Sequence, residues 1–137
     1  MITASYRHKF NAGERVDFER AGVLHEGGII YQVVHVQAEK FNGVKYVISH
    51  GGQVHHVSED RILRVGEREP MIVTYEHDYY FGEAVNFERA GLEYERAQVV
   101  QVLHVQSKYG MGTEYTLKHK SHIHRIAQGS ILKEEAL

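Results

Sequence analysis

The stretch Phe18-Glu19-Arg20-Ala21-Gly22 (FERAG) occurs a second time, residue for residue, at Phe87–Gly91. The two copies lie 69 positions apart, and shifting the chain by that offset aligns Tyr6–Leu63 with Tyr75–Leu132 without a gap, with 22 identities in 58 positions. Agreement of this extent indicates an internal repeat. The sequence therefore predicts one small module present twice.

Within each copy the hydrophobic residues recur mostly with period two, which is typical of half-buried β-strands. In FERAG we expect the phenylalanine to fill the core and the glycine to permit a turn. His50-Gly51-Gly52-Gln53 is a hairpin signal, and Ser58–Arg61 has the composition of one short helical turn. We therefore expect five short strands per copy, centred on Val16–Phe18, Ile29–Gln37, Val44–Ile48, Val54–Val57 and Ile62–Val65 and on their counterparts.

The repeat divides the chain into two expected domains, residues 1–67 and 71–134. The single proline, Pro70, stands in the polar connector Gly66–Pro70, which marks the boundary. A module of roughly 60 residues buries only about 60% of its unfolded surface and is marginally stable alone. We therefore expect the two modules to pack together, or the chain to dimerise.

Composition restricts the possible functions. There is no cysteine, which excludes disulfides, zinc–thiolate sites and cysteine nucleophiles and favours a cytoplasmic protein. No apolar run reaches the ~20 residues of a membrane span, and the first ten residues lack a signal-peptide segment, so no membrane association is expected. The net charge is −2 with no basic block, and eleven histidines can add positive charge at low pH.

The spacing Phe10-Asn-Ala-Gly13-Glu14-Arg-Val16, with Val57-Ser-Glu59-Asp60-Arg-Ile62-Leu63 at the other end of the module, resembles the SH3-like barrel group. Within that group the pattern is most similar to Tudor and KOW-type barrels. The resemblance implies an all-β fold of two tandem five-stranded SH3-like barrels. Such barrels act as binding modules for peptides, modified tails, nucleic acids or polymerases, so the resemblance alone does not choose a ligand.

The candidate binding residues are charged, histidine or aromatic side chains near turns and strand ends. His119, His122 and His124 form a weak candidate metal site, because their counterparts in the first copy are not all histidine; otherwise no metal and no cofactor is expected. His35 and His104, each inside an HVQ triplet, are expected to be structural and hydrogen-bonded. The candidate binding residues are Arg20, His25, His50, His55, Arg89, Tyr94, His119 and His124.

The sequence contains no phosphate-cradling loop, no nucleophile-elbow motif and no convincing pair of carboxylates, so we expect no enzymatic activity. The leading hypothesis is an adaptor that binds a protein partner through stretches that differ between the copies, among them Val23–Gly28 and Leu92–Arg96. The alternative is a nucleic-acid or transcription/translation-associated module. In that case the phosphate contacts would come from Arg7, Lys9, Arg61 and Arg64.

Overall fold

The computed structural model describes residues 1–63, here called the first half, and residues 69–132, the second half. The connector Gly66–Pro70 and Arg64 therefore fall wholly or largely outside the described residues. The described chain is all-β, with only two short 3-10 turns, Glu59–Arg61 and Gln128–Ser130. The strands of the first half are β1 (Ile2–His8), β2 (Arg15–Arg20), β3 (Val23–Ala38), β4 (Asn42–His50), β5 (Gln53–Ser58) and β6 (Ile62–Leu63).

The second half has the same order of elements. Its first strand begins at Met71, and its last ends at Leu132, each 69 residues after the corresponding position of the first half. The strands are β7 (Met71–His77), β8 (Ala84–Arg89), β9 (Leu92–Ser107), β10 (Gly110–His119), β11 (His122–Ala127) and β12 (Ile131–Leu132).

Two features differ from the sequence-based expectation. Each half has six strands instead of the five expected, and the additional strands are β1 and β7. Val23–Gly28 and Leu92–Arg96, expected to be loops, are the first parts of the long strands β3 and β9. The reason is the turn at Ala21-Gly22, where φ is 53° and 77°: a two-residue turn with both residues left-handed closes a tight hairpin, so β3 begins immediately.

The long strand β3 has two sets of neighbours. Its first part pairs with β2, and its second part lies between β4 and β9. At the bend, Gly28 lies against the core, where a Cβ would come within 2.6 Å of Cγ2 of Ile48 and 2.9 Å of Cε1 of Phe18. The bend lets one strand contribute to two parts of the sheet.

The two halves are joined by strand pairing. β3 pairs antiparallel with β9, so that a single ten-stranded sheet runs through both halves, and β1 pairs antiparallel with β7. The register of both pairings is symmetric about the 69-residue offset: Ser5 lies opposite Thr74, and His35 lies opposite His104. The two modules were expected to pack together, and the structure shows that backbone pairing of strands connects them.

Each half has its own apolar core. Phe18 is the centre of the first and Phe87 of the second, and both are completely buried. A third, smaller cluster lies where β3 and β9 meet and is formed by Val34, Val36, Val47 and Leu103. The prediction that Phe18 and Phe87 fill the cores is confirmed. The sequence also predicts core positions for Val16, Val33, Val36, Tyr46, Ile48, Ile62 and their counterparts. All of these are buried except Val105, the counterpart of Val36, which is only partly buried.

Two tyrosines connect the halves at the junction of β3 and β9. The ring of each stacks on a histidine of its own half, and its hydroxyl bonds a histidine of the other half. The Tyr6 ring stacks on His35 at 4.6 Å, while its hydroxyl bonds Nδ1 of His104 at 2.9 Å. Tyr75 does the reverse, stacking on His104 at 4.2 Å and bonding Nδ1 of His35 at 2.9 Å. The prediction that His35 and His104 are buried and hydrogen-bonded is confirmed.

Candidate functional site

Three histidines of the first half converge beside the buried ring of Phe18. His25 comes from β3, His50 from the end of β4 and His55 from β5, and one ligand atom of each lies within 4.8 Å of the others. His25 stacks on Phe18 with ring centroids 4.9 Å apart, and His50 and His55 contact the same ring from the side. Phe18 thus serves as a platform for the cluster.

Two hairpins bring these side chains together. The Ala21-Gly22 turn sets the register in which His25 lies opposite Phe18 on the neighbouring strand. The Gly51-Gly52 turn, with both glycines at positive φ, connects β4 and β5 and places His50 and His55 on adjacent strands. The cluster therefore depends on local turn chemistry in addition to the core.

Hydrogen bonds fix the orientation of two of the rings. Nε2 of His50 donates to the carbonyl oxygen of Glu26 at 2.9 Å, which leaves Nδ1 with its lone pair. Arg20 donates from Nη1 to Nδ1 of His55 at 3.0 Å. Because arginine is only a donor, Nδ1 of His55 is unprotonated in this arrangement.

The electrostatic surroundings favour the neutral form of His55. Its pKa is lowered from the usual value first by burial, then by the Arg20 guanidinium and by His25 and His50. A neutral imidazole is the form that accepts the Arg20 hydrogen bond and the form that can bind a metal ion.

The second half contains an equivalent cluster with one substitution. Tyr94 occupies the place of His25 and stacks on Phe87 at 4.7 Å, and it contacts His119 and His124 at 5.3 Å each. Arg89 donates to Nδ1 of His124 at 3.0 Å, as Arg20 does in the first half. Burial, followed by Arg89, His119 and His122, lowers the pKa of His124.

All eight candidate binding residues from the sequence thus fall into these two clusters, four in each. The weak metal candidate in the second half has a different geometry: His122 is exposed and pairs across the hairpin with His119. Among the described residues, the group of three histidines whose ligand atoms lie within 4.8 Å of one another is His25, His50 and His55. His50 and His55 were visible in the sequence because both recur in the second copy. His25 does not recur and is separated from them by more than 20 residues.

The residues proposed for phosphate contacts lie in segments that meet near Glu59, which lines one pocket together with Arg7. Arg7 is exposed on β1, the backbone of Lys9 bonds Oε1 of Glu59 at 2.7 Å, and Arg61 lies in the 3-10 turn. Arg64 lies outside the described residues.

A groove beside β5 was not anticipated from the sequence. It has a volume of about 260 Å³ and lies between the end of β2 with its turn (Glu19–Gly22), the outer side of β5 (His56–Ser58) and Arg61. Among the described strands, β5 pairs only with β4, and β6 pairs with β2 only at Asp17 and Phe18. The groove therefore separates two strand edges that have no backbone partner in the described part of the chain.

Comparison of the chain with protein-family models, with curated proteins and with solved structures found no match in any of the three. Within the described residues no helix has the length and apolar character needed to cross a membrane.

Proposed function

We propose that this chain is a non-enzymatic cytoplasmic adaptor made of two SH3-like barrels, and that it binds an extended segment of a protein partner in the groove beside β5. The observation that carries the proposal is the pair of unpartnered strand edges on the two sides of one groove. An extended peptide added to such an edge gains main-chain hydrogen bonds, and alternate side chains enter pockets that give specificity.

The charge of the groove favours a partner segment with carboxylate side chains. Two guanidinium groups, those of Arg20 and Arg61, line the groove together with one carboxylate, that of Glu19. His56 adds an imidazole. The Arg20 guanidinium is exposed and is held in place by His55, so it is positioned before a ligand arrives. A positioned arginine can bind a carboxylate through two parallel hydrogen bonds.

The register of β5 identifies the backbone groups that point into the groove. His50 and Gln53 close the two-residue turn, so Gln53, His55 and Val57 exchange hydrogen bonds with β4. The N–H groups of the alternate residues, including His56, point away from β4. Proline at His56 would therefore remove a donor from the free edge without breaking the β4–β5 ladder.

The test is affinity capture from a lysate of the source organism, after nuclease treatment, with contacts mapped by cross-linking. We expect a protein cross-linked beside β5 that is lost with His56→Pro and retained with His56→Ala, which keeps the backbone donor. Thermal melting checks that His56→Pro is folded. Capture that disappears with nuclease, or that His56→Pro leaves intact, would contradict the proposal.

The second half provides a matched comparison. β11 also pairs with one neighbour only among the described strands, and Arg125 stands at the position equivalent to His56. Arg125→Pro should leave binding at the first half unchanged. Equal loss with Arg125→Pro and His56→Pro would show that the effect is not specific to the groove.

A further inference from the structure

We propose that His25, His50 and His55 form a binding site for a divalent transition-metal ion of the zinc class. This inference depends on the interior cluster and not on the strand edges, although Arg20 belongs to both the groove and the surroundings of the cluster. It concerns three imidazoles from three strands whose ligand atoms all lie within 4.8 Å of one another.

The donor set fits Zn²⁺. Imidazole nitrogens bind it at about 2.0–2.1 Å, and tetrahedral sites with three protein ligands leave a fourth position for water or another ligand. His25 and His50 are half-buried and His55 is buried, so the cluster is accessible from one side while Phe18 closes the other. Nitrogens bound tetrahedrally to one ion lie closer together than 4.8 Å, so the side chains have to rotate inward on binding.

Two of the rings are already oriented for binding. His50 donates from Nε2 to the carbonyl of Glu26 at 2.9 Å, the kind of outer hydrogen bond that fixes the tautomer of a metal-binding histidine and leaves Nδ1 as the ligand atom. Stacking of His25 on Phe18 holds its ring over the same point, with an interplanar angle of 16°.

Arg20 competes with the metal for His55. Its Nη1 donates to Nδ1 of His55 at 3.0 Å, and the lone pair that accepts this bond is the one that a metal ion would take. The guanidinium is exposed and can turn away into solvent. Metal binding at Nδ1 therefore has to displace Arg20, and removing the arginine should strengthen binding.

The second half offers a natural control. Tyr94 replaces His25, while His119, His124 and Arg89 repeat the other three groups in the same arrangement. A phenol is a poorer ligand for Zn²⁺ than an imidazole, because it has to lose its proton before it can bind. The first half should therefore bind one ion where the second half binds none.

The experiment is a Zn²⁺ titration of the untagged full chain against a chromophoric chelator, with Co²⁺ absorption to report the geometry. The wild type should bind one ion. His25→Tyr, which copies the second half, should lose that ion. Loss of a direct ligand should weaken binding by more than the about 10–100-fold typical of an outer-shell change. Tyr94→His should gain a second ion, and Arg20→Ala should bind the first more tightly.

Folding of these variants is checked by thermal melting, and His25→Tyr is expected to fold because the same ring stacks on Phe87 in the second half. His122→Ala should leave the stoichiometry unchanged. Binding of Zn²⁺ by His25→Tyr equal to that of the wild type, no site in the wild type, or no second site in Tyr94→His would each overturn the proposal.

Discussion

His35 lies directly opposite its own equivalent, His104, at the centre of the β3–β9 pairing. The same exchange of partners brings Tyr6 to His104 and Tyr75 to His35. Two neutral imidazoles thus occupy the interior of the junction between the halves. A Gln37 amide donates to the Tyr75 hydroxyl at 2.6 Å, and Nε2 of His35 faces Oδ1 of Asn42 at 2.8 Å, so the first-half histidine has both ring nitrogens bonded.

This arrangement predicts that acid weakens the junction. Burial, followed by the nearby His35 and His8, lowers the pKa of His104 to about 4, and burial also lowers the pKa of His35. An unfolded histidine titrates near pH 6.5, so between about pH 6.5 and 4 the unfolded chain binds more protons than the folded one. The free energy of unfolding should therefore be constant above that range and fall through it.

For His104 alone the difference corresponds to about 3 kcal/mol at the acid end. Denaturant titrations at pH 7.5, 6, 5 and 4 would measure it. His104→Asn should be less stable at pH 7.5 but should lose less stability on acidification. An equal slope in the variant and the wild type would show that other groups cause the pH dependence.

A second prediction concerns the close approach at the bend of β3. A Cβ on Gly28 would lie 2.6 Å from Cγ2 of Ile48, whereas the second half has Ala97 with Leu117 at the equivalent positions, and leucine lacks a methyl group on Cβ. Gly28→Ala alone should destabilise the protein by about 1–3 kcal/mol. Adding Ile48→Leu, which reproduces the second-half pair, should recover part of that loss.

Chemical denaturation of the two single variants and the double variant forms a thermodynamic cycle. Ile48→Leu alone serves as the control. If the changes in the free energy of unfolding from the two substitutions are additive, the contact between Gly28 and Ile48 does not limit the packing there.

A third prediction follows from the symmetric register. Residues 1–67 produced alone should form a homodimer in which β1 pairs with β1 around Ser5 and β3 with β3 around His35, because these residues lie opposite their equivalents in the full chain. Light scattering after gel filtration would give the mass. Ser5→Cys should form a disulfide-linked dimer, whereas Arg7→Cys, displaced from the centre, should not. A folded monomer would contradict the prediction.

The fourth prediction separates the two functional hypotheses. Arg7, Lys9 and Arg61 are only three cations in a chain of net charge −2, fewer than the roughly 6–10 phosphate contacts of tightly binding proteins. In fluorescence anisotropy with duplex DNA, single-stranded DNA and RNA near physiological salt, we expect no binding tighter than roughly tens of micromolar. Submicromolar binding that weakens steeply with salt and with Arg61→Ala would favour the nucleic-acid alternative.

Strands with a local hydrophobic pattern and a glycine turn beside them were predictable from the sequence. Phe18 lies between Asp17 and Glu19, the pair Tyr46 and Ile48 is flanked by Lys45 and Ser49, and the turns next to them are marked by glycine. β1 was missed because its partner, β7, lies 69 residues away, and a pairing between distant strands leaves no local signal. The two histidine clusters were partly visible as repeated residues, but the convergence of His25 on His50 and His55 depends on the path of β3. The groove beside β5 exists because one edge of that strand has no backbone partner among the described strands, and sequence patterns do not show which strand lies at an edge.

The pairing of β1 with β7 and of β3 with β9 has a consequence for synthesis of the chain. The first half emerges from the ribosome before the second, and the pairing of β3 with β9 is complete only after Ser107 has been added. Contacts this distant in sequence form slowly, and unpaired edges are prone to association in the meantime. The native junction is therefore completed late in translation or afterwards. Because the register is symmetric, the free edge of one nascent first half is complementary to that of another, and we expect faster initiation on the messenger to lower the yield of correctly assembled protein.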